Sequence, residues 1–527
     1  MPTEYDVEQP ESPVPPIETP DSPPPTRRAL LGWGAAAAVA AIASPATAAA
    51  QRARGDGGRA ATPSGAPPLH ARVAQGPATA PTEWKRPELR LARRITMGLS
   101  FAEMDRAHAL GYERYLERQL DWRHVDDMGV EQFVATNYPL LAQGVDQLYN
   151  QNQDTLRQQL QEATLFRSAF SERQLFERMV EFWTDHFSIS VLDVGYRKVV
   201  DDREVIRRHA LGKVGDLVWA SAHSPAMLEY LDNTRNRAPR FNQNFARELM
   251  ELHTVGVDGG YTQDDVAELT RAFSGWTITG RGTFNFDPSG HDFGEKTVMG
   301  QRLPAMPSGA GVAGIQDGER MIRFLVQHAS TATYVSTKML RWLLRYDPSA
   351  AQVTEVASVY TRTGGDIKAM IRTILKREWL MAAPPKLKRP YHFVASALRA
   401  VSPTITRMAA FNRMLTTVGQ PPFYWETPDG YPDKVEYWGQ NVLTRWSVAQ
   451  SLASMVSGDG SVDVTVLMRE PTPDGIVRSI DALLFAGEMR PQTRQGLVDF
   501  LRPAPTNQTR VREALGLALG SSGFQWY

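Results

Sequence analysis

Apolar residues recur at spacings of three, four and seven over most of the chain after residue 100, a pattern typical of helices that bury one face. The stretch from Ser100 to Trp122 shows it in Phe101, Met104 and Leu116, with Ser100 where a helix cap is preferred. Thr262, with Asp265 three residues later, is a second predicted cap. Similar patterns predict helices over 154–190, 200–232, 240–255, 262–273, 317–345, 350–377, 388–402, 440–456, 475–487, 491–502 and 507–519. No repeat of fixed period accompanies them, which disfavours a solenoid.

Strand signals are few. Residues from Gly275 to Pro288 alternate around Gly280 and Gly282, which predicts one short hairpin. Strands and helices do not alternate regularly, so a parallel-sheet enzyme fold is disfavoured. The sequence predicts an all-α fold, with one large multi-helix domain over 86–527, a small β hairpin and long loops.

The first 85 residues contain a predicted export signal followed by a predicted flexible linker. Arg27 and Arg28 precede a weakly apolar, alanine-dominated stretch that ends in Ala46-Thr47-Ala48, similar to a twin-arginine export signal. We therefore predict a disordered leader and signal over 1–50, and a flexible Ala/Gly/Pro linker over 51–85. Export by this route, with transient membrane contact, predicts a periplasmic, cell-surface or secreted protein; the alternative is an uncleaved membrane anchor.

Charge and cysteine content exclude several function classes. Lys and Arg together number 58, as do Asp and Glu, so the chain lacks the basic excess typical of nucleic-acid binding. With no cysteine, a thiolate-ligated metal, an iron–sulfur cluster and a thiol nucleophile are impossible. The zinc-protease helix, the serine-hydrolase elbow and nucleotide-binding motifs are also missing. The cofactor stays unknown.

Several longer motifs occur in a fixed order. They are EFWTDHFSIS (181–190), the run 206–233, NQNFARELMELHTVGVDGGYTQDDVAELTRAFSGWT (242–277), HDFGEKTVMG (291–300), KLKRPYHFVASALRA (386–400), PDGYPDKVEYWGQNVLTRW (428–446) and the closing GSSGFQWY. Together they resemble the bacterial family catalogued as domain of unknown function 1800, from about Arg86 to the C-terminus.

The resemblance implies an exported, mostly helical bacterial protein without a settled activity. Such proteins are often encoded beside an exported sulfatase- or phosphatase-like protein, which is the partner that the resemblance implies. Gln243 departs from the family pattern, which has a glutamate between the two asparagines, so this chain has no carboxylate at that position.

The segment NFARELMELHTVG carries the first candidate site. On a helix, Glu248 and Glu251 share one face with Asn244, whereas His253 lies far around the helix. Two carboxylates beside apolar neighbours suit acid/base work or a hard metal ion. The alternative is that both carboxylates pair with arginines of other helices and stabilise the bundle.

The predicted helix near residue 180 carries a second set of candidate residues. Glu177, Glu181 and Asp185 form one stripe, which we interpret as a solvated face, and His186 lies on an apolar face. If His186 and His253 met across a helix pair they would bind a metal, which is a further hypothesis.

Two loops carry the remaining candidates. Asp292 would orient His291 as a general base, with Lys296 binding an anionic oxygen; the alternative is that these residues brace the loop. In the stretch 421–438, aromatic residues alternate with acids in a pattern that suits sugar stacking, and the alternative is a loop anchored by its aromatic residues. The predicted substrate-binding residues are Trp425, Asp429, Tyr431 and Trp438.

These observations predict a hydrolase of an envelope or extracellular polymer such as a polysaccharide. His291, Asp292 and Lys296 would supply the loop chemistry, with Glu248 and Glu251 behind them. The alternatives are a non-catalytic helical binding or scaffold protein that works with an exported partner, and a metal-binding protein that uses histidine and glutamate ligands.

Overall fold

The computed structural model describes residues 84–307 and 309–527. In this part of the chain 25 α-helices form the body of the protein: α1 Pro87–Ile95, α2 Phe101–Leu120, α3 Met128–Asn137, α4 Val145–Tyr149, α5 Gln153–Phe170, α6 Gln174–His186, α7 Val191–Val194, α8 Arg197–Asp201, α9 Val214–Ala222, α10 Pro225–Tyr230, α11 Asn244–Glu248, α12 Gln263–Ala272, α13 Ile315–Gln327, α14 Ala329–Leu343, α15 Ala350–Thr363, α16 Ile367–Ile374, α17 Arg377–Ala382, α18 Pro390–Val401, α19 Ala409–Thr417, α20 Val435–Trp438, α21 Val442–Ala453, α22 Pro473–Phe485, α23 Pro491–Leu501, α24 Gln508–Gly520 and α25 Ser522–Gln525. The predicted all-α class is confirmed.

Two helices continue into π-helical turns. Residues Asp202–Arg207 extend α8, and Leu249–His253 extend α11. A π turn holds one more residue than an α turn, and such turns are frequent at functional sites.

The strands form three antiparallel pairs in the described residues. The pairs are β1 Trp276–Thr279 with β2 Thr283–Phe286, β3 Lys296–Val298 with β4 Gln301–Leu303, and β5 Thr404–Ile405 with β6 Gly460–Ser461. The first is the predicted hairpin, with Trp276 opposite Phe286. The other two pairs have strands of two or three residues, too short to show an alternating pattern.

Long helical patterns divide into shorter helices. The predicted helix over 154–190 is α5 and α6, separated at Ser171, whose backbone is extended. The helix over 317–345 is α13 and α14, separated at His328, whose ring accepts a hydrogen bond from the Ser330 amide. The predicted caps are confirmed, since Ser100 accepts from Glu103 and Thr262 from Asp265.

Two large apolar cores hold the helices together. One is built mainly from α1, α2, α6 and the helices between residues 205 and 383. The other is built from α3, α5, α18, α19 and the helices up to residue 524. Side chains of α6 line the first core while those of α5 line the second, so the turn between these helices crosses from one core to the other.

The described part begins with Trp84, two residues before the predicted start of the domain. This side chain is buried, and the guanidinium of Arg93 lies 5.1 Å from its ring centroid. The predicted leader, export signal and nearly all of the predicted linker lie outside the described residues. None of the described helices is both long and apolar enough to cross a membrane.

A buried arginine ties three helices and a loop together. Arg399 of α18 forms an ion pair with Glu103 of α2, and it donates to the carbonyl oxygens of Gly98 and Ala169 at 2.8 and 3.0 Å. Replacing Arg399 with Met would leave a carboxylate buried without a cation, which we expect to cost about 3–5 kcal/mol of the free energy of unfolding. Urea denaturation measures this difference.

The matched control is an exposed pair. Arg372 binds Glu117 at 2.7 and 2.8 Å, but about half of each side chain is in contact with solvent. We expect Arg372→Met to cost less than about 1 kcal/mol. Equal losses in the two variants would contradict the structural role of Arg399.

Candidate functional site

The acidic stripe of α6 is largely buried, not solvated as the sequence predicted, with Glu177 buried and Glu181 and Asp185 partly so. Glu177 accepts two hydrogen bonds from Arg207 at 3.0 and 3.1 Å, and Glu181 accepts one from Arg178 at 3.0 Å. Asp185 binds Arg389 at 2.6 Å. The interpretation was wrong because these arginines compensate the charges inside the protein.

Arg389 is the centre of this network. Its guanidinium pairs with both Glu181 and Asp185, donates to the Tyr431 carbonyl at 3.2 Å, and lies 4.5 Å from the ring centroid of Trp342. Burial raises the pKa of Asp185 to about 6, although Arg389 opposes that shift. The network therefore fixes one end of α6 against the loop that contains Tyr431.

That loop, residues 420–433, packs directly on α6. Gly430 has φ +75°, and a Cβ atom there would lie 2.1 Å from the carbonyl oxygen of Asp185. Only glycine fits this conformation and this contact without displacing the backbone. This close approach places Asp429, the residue before Gly430, near the end of α6.

A small cavity separates the loop from α6. It has about 40 Å³ of water-accessible volume, which holds a few water molecules. Glu181, Asp185 and Arg389 are among its polar lining residues, and Phe423 is among the apolar ones. Phe423 has φ +66°, a strained conformation for a bulky residue.

The two carboxylates of α11 and its π turn differ from those of α6 in exposure and in ion pairing. Glu248 and Glu251 are partly exposed, and neither forms an ion pair with any residue that the structure describes. Glu251 accepts only from the Tyr261 hydroxyl, at 3.5 Å. The alternative that these carboxylates pair with arginines of other helices is therefore wrong.

Glu248, Glu251 and Asp429 form what we call the carboxylate junction. Burial raises the pKa of Glu248, and the negative charges of Glu251 and Asp429 raise it further. Asp429 accepts a hydrogen bond from the indole of Trp425 at 2.8 Å. Two candidates that are far apart in the sequence, the helix carboxylates and the aromatic loop, thus lie close enough for their charges to interact.

The aromatic loop divides into exposed and anchoring residues. Tyr431 donates to the Pro421 carbonyl at 2.7 Å, and the buried Trp438 donates to the Pro432 carbonyl at 2.6 Å. Trp425 is partly exposed, and the neighbouring Tyr437 is 49% exposed, with 6.1 Å between their ring centroids. Of the predicted substrate-binding residues, Trp425 and Asp429 are therefore accessible, whereas Tyr431 and Trp438 anchor the loop.

The two candidate metal ligands, His186 and His253, lie close together. The rings of His186 and His253 lie 6.1 Å apart between centroids, and His186 Nε2 is 3.2 Å from the carbonyl oxygen of His253. Burial lowers the pKa of both, that of His253 to about 3, and the Lys338 charge lowers both further. In the described residues no group of three or more His, Cys, Asp or Glu side chains could hold a metal ion.

Lys338, on α14, interacts electrostatically with the two histidines and with Asp429. Burial lowers its pKa to about 8, whereas the charges of Asp185 and Asp429 act in the opposite direction. The ammonium lies 5.5 Å from the ring centroid of Tyr334. Sequence reasoning missed this lysine, because its spacing from Tyr334 and Arg341 is that of an ordinary solvated helix face.

The His291 loop lies elsewhere and has other partners. His291 Nδ1 is 2.8 Å from the Ser274 carbonyl oxygen, and its Nε2 is 3.4 Å from Asp317. Asp292 is bound to Arg271 at 2.9 and 3.2 Å, so the predicted orientation of His291 by Asp292 is wrong.

Lys296 also points inward in this loop. Its ammonium binds Asp317 and the Gly294 carbonyl, both at 2.8 Å. The side chains of His291 and Lys296 are fully buried, so this geometry favours the alternative in which the loop is braced against α13. The missing partner, Asp317, had no signal in the sequence, because it lies at the start of an ordinary helical pattern.

We expect Gly430→Ala to weaken the packing of the loop on α6. Alanine at this φ costs about 1 kcal/mol by itself, and the overlap with the Asp185 carbonyl should add about 1–3 kcal/mol. Urea denaturation gives the total. Gly458→Ala is the control, since Gly458 has φ +87° but a Cβ added there would have no other atom within 4 Å. Equal losses would contradict the close approach.

The buried histidines should make stability depend on pH. Because the fold favours neutral His253, with a pKa of about 3, the folded protein binds fewer protons than the unfolded chain below the ordinary pKa of about 6.5. Stability is then lost as the pH falls from about 6.5 towards 3. At pH 5 this histidine alone costs about 2 kcal/mol. Between pH 7 and 5, wild type should lose that much more unfolding free energy than His253→Gln.

The control for this measurement is an exposed histidine. His124 has 83% of its side chain exposed, so His124→Gln should follow the wild-type pH dependence. A His253→Gln protein with the same pH dependence as wild type would show that burial does not keep this ring neutral.

A family model matches most of the chain. The family model described as "Protein of unknown function (DUF1800)" matches residues 90–526. No curated protein and no solved structure matches the chain. The match covers most of the chain, including α6, the carboxylate junction and the loop over them, and the protein therefore belongs to the DUF1800 family of proteins of unknown function.

Proposed function

We propose that the protein is a hydrolase that cleaves an envelope or extracellular polysaccharide at the carboxylate junction. The observation that supports this most strongly is the contrast between two sets of acids. Those on α6 are neutralised by arginines, whereas Glu248, Glu251 and Asp429 meet without an ion-pair partner in the described part of the chain. An unpaired carboxyl group such as Glu248, whose pKa is raised by burial and by neighbouring negative charges, is typical of acid/base sites.

The chemistry would divide between a protonated and an ionised carboxyl group. Glu248, with its raised pKa, is suited to donate a proton to the leaving glycosidic oxygen. Glu251 or Asp429, on the other side of the bond, would take a proton from the attacking water. In sum, water adds across the C–O bond, which breaks to give a new reducing end and a free hydroxyl group.

The rim of the junction suits a sugar. Trp425 and Tyr437 offer accessible aromatic faces on which a pyranose ring can stack, and the Trp425 indole holds Asp429 in place. Tyr230, at the same rim, donates to the Glu426 carbonyl at 2.8 Å. The twin-arginine-type signal predicted from the sequence would bring such an enzyme to polymers outside the cytoplasm.

The test is release of reducing ends from peptidoglycan, chitin, xylan, dextran and alginate. We expect wild type to cleave at least one of them, and Glu248→Gln and Glu251→Gln to reduce kcat by about 10²–10⁴-fold, the usual contribution of an acid or base. Asp105→Asn, an exposed carboxylate on α2, should retain full activity. Equal activity of wild type and both glutamine variants would contradict the proposal.

Two further outcomes separate the competing functions. Binding to an insoluble polysaccharide without release of reducing ends would support the non-catalytic binding protein, which would then act with an exported sulfatase- or phosphatase-like partner. His291→Ala tests the other predicted centre. If the folded variant loses turnover while Glu248→Gln retains it, the chemistry belongs to the His291 loop.

A further inference from the structure

Lys338 differs from the buried lysines of the described chain. Each of those has a hydrogen-bond acceptor for its ammonium group: Lys198 has Asp201, Lys296 has Asp317, Lys386 has Asp433 and Lys388 has Ser396. Lys338 is partly buried, yet no acceptor and no ion-pair partner for it occurs in residues 84–307 and 309–527. Three N–H donors are thus left without a protein acceptor.

The charged and titratable groups that act on Lys338 come from several elements. Asp185 and His186 lie at the end of α6, His253 ends the π turn after α11, and Asp429 belongs to the loop; each interacts electrostatically with the lysine. On α14 itself, Tyr334 and Arg341 are its neighbours. Asp185 is already bound to Arg389, so Asp429 is the carboxylate left to face both Lys338 and the junction.

The histidines behind Lys338 carry further unused polar atoms. His186 Nδ1 and His253 Nε2 are buried and have no hydrogen-bond partner among the described residues. Buried polar atoms are normally paired, so these atoms make the region behind the lysine unusually polar. Lys338 acts electrostatically on both buried rings and on Asp429, and Asp429 connects this group to the carboxylate junction.

From this arrangement we infer that Lys338 is the cationic substrate contact of the site, and that its ammonium donates hydrogen bonds to an oxygen of the sugar unit bound at the carboxylate junction. The inference rests on the proposed function. The oxygen belongs either to a hydroxyl group of a neutral sugar or to the carboxylate of a uronic acid. The ammonium form makes the stronger, charge-assisted hydrogen bond, so binding weakens as the pH rises through the pKa of about 8.

The first experiment measures the amine without any substrate. Cyanate reacts with the neutral amine, and at pH 7 a lysine with a pKa near 8 holds roughly 200-fold more of that form than one at the ordinary 10.4. In the full-length protein, peptide mapping should show carbamylation of Lys338 at least tenfold faster than of the ion-paired Lys296. The rate should rise with pH to a midpoint near 8, and Asp429→Asn should lower that midpoint, since it removes a carboxylate that favours the ammonium form.

The second experiment uses two defined probes. Oligogalacturonate and maltohexaose, at millimolar concentration, are tested for protection of Lys338 from cyanate. Protection by oligogalacturonate alone identifies a uronic-acid contact, and protection by both identifies a hydroxyl contact. Protection by neither, for a lysine that cyanate does modify, contradicts the inference.

The third experiment separates this inference from the proposed function. On the polysaccharide that wild type cleaves, Lys338→Met should raise KM at least tenfold, and Lys338→Arg should restore binding at pH 9, where the wild-type lysine is mostly neutral. If Glu248→Gln abolishes cleavage but Lys338→Met leaves KM and its pH dependence unchanged, the proposed function stands and the inference about Lys338 is overturned. If neither variant changes cleavage, both are overturned.

Discussion

Arg389 joins parts of the chain that are more than 200 residues apart. Its guanidinium binds Glu181 and Asp185 on α6, while its main chain begins α18, which belongs to the other apolar core. A buried guanidinium is costly unless its charge and its donors are satisfied, so α6, α18 and the loop at Tyr431 hold one relative position. The constraint therefore fixes Asp429, the residue before Gly430 in this loop, relative to the end of α6.

The same network explains why the site is acidic. On α6 each carboxylate has an arginine within hydrogen-bonding distance, and the charge of that helix is thereby neutralised inside the protein. Asp429, two residues before Tyr431 in the same loop, has no arginine partner among the described residues. It acts electrostatically on Lys338, and like Glu248 and Glu251 it is at least partly exposed to solvent.

Sequence reasoning was most successful where the pattern is local. Helical periodicity and caps such as Ser100 and Thr262 identified most helices, because they depend on residues within one or two turns. The divergence of Glu248 and Glu251 from His253 was also predictable, since it follows from positions on one helix. The electrostatic influence of Asp429 on Glu248 was not predictable, because the two residues are 181 positions apart and no local pattern relates them.

The errors have the same physical origin. The α6 stripe was interpreted as solvated because Arg207 and Arg389, which neutralise it, follow Glu177 and Glu181 by 30 and 208 residues. The neighbour of His291 in the sequence, Asp292, was assigned as its partner, whereas the packing of α13 supplies Asp317 instead. In both cases packing brings a counter-charge from a distant part of the sequence to a largely buried polar side chain, and this changes the role of that side chain.

The π turn at Leu249–His253 has a consequence for how this site tolerates change in length. The turn ends where the His253 carbonyl accepts from His186 and the Gly256 amide bonds to the Met250 carbonyl at 3.0 Å. Because a π turn holds one residue more than an α turn, the five residues of this segment cover about the same arc as four residues of an α-helix. The extra residue therefore sets which side chain stands beside His186 at the end of the helix. The length of this segment, as well as its residue identities, determines how the imidazole of His253 is placed relative to Glu248.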